Sequence, residues 1–443
     1  MTPAQEYELG QKVLRMYRSN LPLSEDPFYE VYLEKLLQRI VIASPLKDKR
    51  IELLVIADRN LNAFAAPGGI VGVNTGTFLI ANNEAELASI LSHELAHLSQ
   101  RHFVRTQQNQ ATNAMLSAAG ILGSIILGAA AGADAGMAGI TAVQAGSMQA
   151  RLTFSREMEQ EADRIGMETL VAAGYDAQAM PAMFEVMQTN SRYRTKVPEF
   201  LLTHPLTESR ISDSKNRADH YPRRPPSKDV DFQILRARVI LENEDSPQFA
   251  VKRFTEELKG NTLSSLSARY GLAIALTKAN EPEKAQLVVQ ELDKDYPNMT
   301  AIIVAKADIE AKKQHFEQAV IILQNALKTQ SGNHILTIRL AELLMESGRY
   351  AECEKLLIAH AKLNPKNPYT WYLLAEIHGL AGHILEVHKA RAEYFILHGI
   401  YDKAEIQLRN ALKLMGDDFQ GRARIEQRLI DVKNLQREKI GRG

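Results

Sequence analysis

Leu87, Ile90, Leu91, Leu95 and Leu98 recur at helical spacing and form one apolar stripe. Asn83 and Glu86 supply a capping box just before it, so the pattern predicts a helix that starts there and carries Ser92 to His97. A second helix is predicted from near Thr153, through TFSREMEQEADRIGMETLVAAGY. Glu52 to Ala57 and Gly69 to Thr75 read as short strands flanked by helices, which makes residues 1–220 an α+β unit. Between the two helices, Ala114 to Ala133 has no charge, and only Asp134 interrupts the uncharged run to Ala150. Its length suits a membrane span, but Gly120, Gly123, Gly128 and Gly132 offset the few Leu and Ile that favour insertion. The segment 114–150 reads as an apolar helical hairpin. It packs as a lid over a cleft or makes peripheral contact with a membrane.

The text changes beyond Tyr221-Pro222-Arg223-Arg224-Pro225-Pro226-Ser227, which reads as a linker. Ala285, Ala319, Cys353 and Val387 are spaced by 34 residues, and so are Ala273, Ala307, Ala341 and Ala375. Trp371 precedes Leu374-Ala375 at the spacing of the tetratricopeptide signature. Small residues at fixed period permit close helix packing, and each helix pair needs its neighbours. Four repeats are expected from about 264 to 397, after a degenerate pair at 232–258 and before a last helical stretch from Tyr401. The expected division is 1–221, a linker at 222–229, and an all-α solenoid at 230–443. Such a solenoid presents a concave surface to a protein partner.

Composition narrows the function classes. Lys plus Arg and Asp plus Glu both number 53, so no net field favours nucleic acid. The one cysteine, Cys353, excludes an intrachain disulfide. The N-terminal Met-Thr-Pro-Ala-Gln-Glu-Tyr lacks the charged-then-apolar pattern of a signal peptide, which fits a cytosolic protein or a mature chain.

The chemistry sits in Ser92-His93-Glu94-Leu95-Ala96-His97. His93 and His97, four apart on one helical face, can both reach one zinc ion. Glu94 can take a proton from water activated by that metal. Catalytic zinc takes three protein ligands, so a third must come from elsewhere. In the second helix Glu159 and Asp163 share a face, which suits Glu159 as ligand and Asp163 as acceptor for a ligand's N–H. Glu157 and Glu161 project from other faces and read as solvated charges.

HELAH followed by SREMEQEAD resembles the M48 metallopeptidases, whose second motif is matched by Ser155, Arg156, Glu159, Ala162 and Asp163. Asn62-Ala63-Phe64-Ala65-Ala66-Pro67-Gly68-Gly69 is similar to the family's strand beside the active site, and Thr203-His204-Pro205 through Arg210-Ile211 to its third element. The resemblance covers about residues 5–215. It implies a zincin-type fold, one Zn2+ per chain, His93, His97 and Glu159 as ligands, and endopeptidase activity with Glu94 as base. Asn62, Ala63, Phe64 and Ala65 are the candidate edge strand against which substrate backbone pairs. The whole arrangement resembles repeat-bearing M48 proteases of Gram-negative bacteria. That implies a periplasmic protein acting on misassembled outer-membrane barrel proteins, in contact with the barrel assembly machinery through its repeats.

Two alternatives stay open. The chain can act mainly as a chaperone or adaptor whose proteolysis is rare and gated. His204, biased towards an extended conformation by Pro205, can fill the metal's open position and hold the enzyme inactive, swing away and stabilise an oxyanion, or simply pack at a helix start.

Overall fold

The computed structural model describes residues 1–109, 155–193, 198–225, 229–260, 264–416 and 418–440. The apolar segment expected at 114–150 lies outside them. The chain divides into two compact units, the first over Met1–Glu244 with Thr262–Ser267, the second over Asp245–Asn261 and Ala268–Gly443.

The first unit opens with α1 (Pro3–Asn20) and α2 (Pro27–Ala43), then β1 (Glu52–Ile56), β2 (Ala63–Ala66) and β3 (Ile70–Asn74). The sheet order is β1-β3-β2, with β1 parallel and β2 antiparallel to β3. The two expected strands are therefore neighbours, and β2 lies at one edge. Val13, Leu14 and Tyr17 of α1 pack on Leu54, Ile56 and Ile70 of the sheet. Gly10 and Gly68 let α1 reach the β2–β3 turn, because a Cβ on Gly10 would stand 2.4 Å from Pro67 O. Gly68 also has φ +82, a conformation that side chains with a Cβ rarely adopt.

After the short α3 (Thr77–Ile80) come α4 (Glu84–Ser99), α5 (His102–Asn109), α6 (Arg156–Ala172), α7 (Ala179–Tyr193), α8 (Glu199–Thr203), α9 (Glu208–Ala218) and α10 (Val230–Asn243). The expected capping box at α4 is half formed. Asn83 Oδ1 accepts Glu86 N–H at 3.0 Å, but Glu86 Oε2 accepts the N–H of Asn82 rather than that of Asn83. Ser155 caps α6 by accepting Met158 N–H at 3.2 Å. Ala96 of α4 packs on Ala162 and Ile165 of α6. Gly166 lies against the other helix so closely that a Cβ there would stand 3.1 Å from His93 N and Cα. Small residues thus set how near the two helices come, and with it the spacing of the side chains between them.

The second unit repeats a helix pair: α12 (Ser265–Lys278) with α13 (Pro282–Asp295), α14 (Thr300–Lys312) with α15 (Phe316–Thr329), α16 (His334–Glu346) with α17 (Tyr350–Leu363), and α18 (Pro368–Leu380) with α19 (Ile384–Leu397). These are the four repeats of the sequence period. They are preceded by α11 (Pro247–Lys259) and followed by α20 (Tyr401–Leu414) and α21 (Phe419–Ile440). Both small-residue series are buried, from Ala273 to Ala375 and from Ala285 to Val387. Asn280, Gln314, Gly348 and Gly382, again 34 apart, all have positive φ where the first helix of a pair ends. Of the aromatic residues scattered through the repeats, Tyr270 and Tyr401 are buried in the core. No helix among the described residues is long and apolar enough to cross a membrane.

The helices expected as a degenerate pair at 232–258 fall in different units. α10 lies past the proline-rich segment yet belongs to the first unit. Phe232, fully buried, packs tilted against Phe78 with ring centroids 5.6 Å apart, Arg236 donates to Ala81 O at 2.6 Å, and Arg238 pairs with Asp26. Proline content marks where the chain leaves a helix, not where packing ends. A fragment ending at Glu244 should therefore melt well above one ending at Tyr221, since burial of Phe232 alone contributes about 2 kcal/mol. Equal midpoints in thermal unfolding would place α10 with the repeats.

Candidate metal centre

Helical spacing brings His93 and His97 to one face of α4, and their Nε2 atoms lie 3.0 Å apart. From α6, Glu159 Oε2 lies 3.6 Å from His93 Nε2, and Oε1 lies 3.4 Å from His97 Nε2. His204, in the link between α8 and α9, sets Nδ1 2.9 Å from Glu159 Oε1. Ligating atoms of His93, His97, Glu159 and His204 all fall within 4.8 Å of one another, and all four residues are buried. Donors at about 2.0–2.1 Å around tetrahedral zinc stand roughly 3.3 Å apart. The 3.0 to 3.6 Å separations of His93, His97 and Glu159 fit that spacing.

The surroundings fix the donors. His93 Nδ1 lies 3.0 Å from Asp163 Oδ1. Burial opposes charge on this ring, but Asp163 and Glu159 outweigh it and raise its pKa to about 9, so a metal at Nε2 would take the place of a proton. Arg210 of α9 holds Asp163 through two hydrogen bonds, both of 2.7 Å, and its Nη1 lies 2.8 Å from Glu159 Oε2. Burial opposes charge on Asp163, but Arg210 and His93 outweigh it and hold the carboxyl below its ordinary range. Burial likewise opposes charge on Glu159, and His204, His93 and His97 outweigh it strongly. Burial drives His97 well below the usual imidazole range, which keeps it neutral and able to ligate.

Glu94 is 1% exposed and points into the same space. Burial raises its carboxyl, with His204 and His93 partly offsetting the rise. The Ala65 backbone N–H of β2 also favours its charged form, while Oε1 accepts no hydrogen bond and lies 3.5 Å from His204 Nε2. Of the expected edge strand, Asn62 and Ala63 are buried, and Asn62 O is bonded to Asn74 N–H at 3.0 Å. The Phe64 ring lies over Gly72 of β3 and against Tyr17, so this side chain faces the core. Of these residues, Ala65 is the one whose backbone acts on Glu94.

Three residues acquire partners here that the sequence reading did not give them. Arg210 stood in a motif without a role. His102, fully buried at the start of α5, sets Nδ1 2.9 Å from His97 Nδ1. Its Nε2 lies 3.1 Å from Glu161 Oε2, which also accepts from Arg105 at 2.7 Å. Glu161, expected as a solvated charge, is therefore half-buried and paired, whereas Glu157 is exposed as expected. The missed signal was a His five residues past His97, across a helix break that spacing along one helix does not bridge. With Glu161 accepting from His102 Nε2–H, this chain would set the His97 proton at Nδ1 and leave Nε2 for a metal. His102→Ala or Glu161→Gln should lower zinc affinity by about 10- to 100-fold without loss of helix content. Zinc competition with a chromogenic chelator checks this, and unchanged affinity in both variants would make the chain a packing feature only.

Residues 27–218 match Peptidase family M48, and residues 311–377 match the Tetratricopeptide repeat. The chain is 34% identical over 442 residues to a putative beta-barrel assembly-enhancing protease of Vibrio cholerae, covering 99% of this chain and 91% of that one. It is 32% identical to the beta-barrel assembly-enhancing protease of Escherichia coli K12, over 98% of this chain and 88% of that one. A shorter match, 34% over 182 residues, links it to the mitochondrial metalloendopeptidase OMA1 of Schizosaccharomyces pombe, covering 41% of this chain and 50% of that one. Family M48 enzymes are zinc-dependent, and the buried donors of α4 and α6 suit that metal. Relatives this similar along nearly their whole length show that the chain belongs to peptidase family M48, as a zinc metalloendopeptidase that also carries tetratricopeptide repeats.

Proposed function

We propose that the chain cleaves misassembled outer-membrane barrel proteins in the periplasm, with His93, His97 and Glu159 as zinc ligands, Glu94 as general base and Asp163 orienting His93. The observation that carries the chemistry is the Glu94 carboxylate, buried beside the ligand cluster with one oxygen that accepts no hydrogen bond. Bound zinc supplies a Lewis acid that polarises a carbonyl and acidifies water. Glu94 takes a proton at Oε1 and returns it to the leaving amine, and its raised carboxyl makes it the stronger base. β2 has β3 on one side only among the described residues, so an extended substrate segment can add along Ala63 to Ala65 on the other. The barrel substrates, the periplasm and a repeat-mediated contact with the barrel assembly machinery are carried over from relatives named for enhancing that assembly. The repeats support a protein partner by their architecture.

One observation favours the second reading, an adaptor whose proteolysis is gated. His204 is 3% exposed and stands between Glu94 and Glu159, in reach of both carboxylates. In that position it competes for the space a substrate carbonyl needs. Swung outward on the α8–α9 link, the same imidazole can face an oxyanion.

Glu94→Gln should lower hydrolysis of an unfolded protein at least about 100-fold while zinc stays bound. Glu159→Ala should lose zinc and activity together, and a chelator should silence the unmodified chain. Metal analysis beside a cleavage assay decides, and near-normal hydrolysis by Glu94→Gln would sink the base assignment. His204→Ala separates the roles of that residue. Faster cleavage marks a gate, slower cleavage at constant zinc content marks an oxyanion helper, and an unchanged rate rejects both.

A further inference from the structure

The second unit holds its own set of ligating side chains. Glu354 lies near the start of α17, His378 near the end of α18, and His383 immediately before α19. Their ligating atoms fall within 4.8 Å of one another. His378 Nδ1 is 2.7 Å from Glu354 Oε1, and His383 Nδ1 is 2.6 Å from the same oxygen. Two imidazoles thus converge on one carboxylate from opposite ends of a helix–helix turn, with ring centroids 6.4 Å apart. We propose that Glu354, His378 and His383 form a second metal site, which takes a divalent transition cation such as Zn2+.

The donor chemistry selects the class. Two imidazole nitrogens with one carboxylate suit Zn2+, Ni2+ or Cu2+, whereas Mg2+ and Ca2+ require shells built from oxygen. Cys353 is next in sequence but supplies no ligand. Its thiol donates to Ala341 O at 3.3 Å, and burial pushes it up to about 12. Without a cation, each neutral imidazole can donate Nδ1–H to Glu354. Moving the ring proton to Nε2 frees each Nδ1 lone pair for the metal, and no net proton need be released. Donors around tetrahedral zinc stand roughly 3.3 Å apart, so each imidazole withdraws by well under 1 Å. The framework permits this. His378 is buried and fixed on its helix, whereas the His383 side chain is 53% exposed on the turn and can swing. The same exposure provides an entry path and leaves open positions to water.

A cation here ties α17 to the turn between α18 and α19. In a solenoid each repeat is held by its neighbours alone, so such a tie stiffens one joint of the array. Gly382, with φ +77, makes the turn that presents His383, and His378 also lines a cavity with Trp371 and Leu374. The site therefore fixes one wall of that cavity.

The test uses the full chain with its peptidase zinc already bound, titrated with ZnCl2 by calorimetry and followed by metal analysis. The unmodified chain should take up a second equivalent of zinc, and its melting temperature should rise. His383→Ala and Glu354→Gln should each weaken that second equivalent at least about tenfold while the first is retained. CaCl2 should give no second equivalent. The proposal fails if the unmodified chain binds one zinc only, if both variants keep the second equivalent, or if Ca2+ binds there as tightly as Zn2+. Circular dichroism on both variants separates loss of the site from loss of the fold.

Discussion

Eight ionisable side chains, His93, Glu94, His97, His102, Glu159, Asp163, His204 and Arg210, are buried together in the first unit. Removing charges from water costs several kcal/mol per ion unless partners repay it, and breaking one buried pair costs roughly 3–5 kcal/mol. The cluster therefore depends on mutual satisfaction. Arg210 neutralises Asp163 and approaches Glu159, Asp163 orients His93, and His102 with Glu161 orients His97. What remains is a set of nitrogen and oxygen atoms within 4.8 Å of one another on His93, His97, Glu159 and His204. A divalent cation bound among them would repay the rest and couple the fold of this centre to its metal.

That electrostatic demand explains the scaffold. The donors come from α4, α6 and the α8–α9 link, and rigid elements hold a site more tightly than loops do. Ala96, Ala162 and Gly166 let α4 and α6 approach until His93 and Glu159 meet across the gap. β2 passes beside Glu94, and the Ala65 N–H favours its charged form, so the strand suited to receive substrate also acts on the proposed base. Substrate alignment and proton transfer thus share one short piece of backbone.

The repeats follow a different logic. Buried small residues and a turn at positive φ fix each pair, and ion pairs such as Arg339–Asp308 and Arg349–Glu317 link one pair to the next. Asn280, Gln314, Gly348 and Gly382 occupy equivalent turns, yet two are Gly and two carry side chains. Asn tolerates the left-handed region better than most residues, whereas Gln314 adopts it exposed at its turn. This local, repeated construction leaves room for an added feature such as the Glu354, His378 and His383 group without disturbing the period.

The sequence determined whatever follows from local spacing or strict period. His93 and His97 share a face because 3.6 residues make a turn, Glu159 and Asp163 for the same reason, and the four repeats because 34-residue recurrence survives divergence. It also carried the family motifs that the long matches to M48 relatives bear out. Tertiary structure decided what depends on contacts between distant segments. Glu161 reads as a solvated acid on its own helix, but folding sets it beside His102 and Arg105. Arg210 becomes the partner of Asp163 only when α9 packs against α6. α10 joins the first unit although prolines precede it, because the Phe232 ring finds Phe78 there. Periodicity reports which face of an element is apolar, and it holds no information about which polar groups from elsewhere will be buried against it.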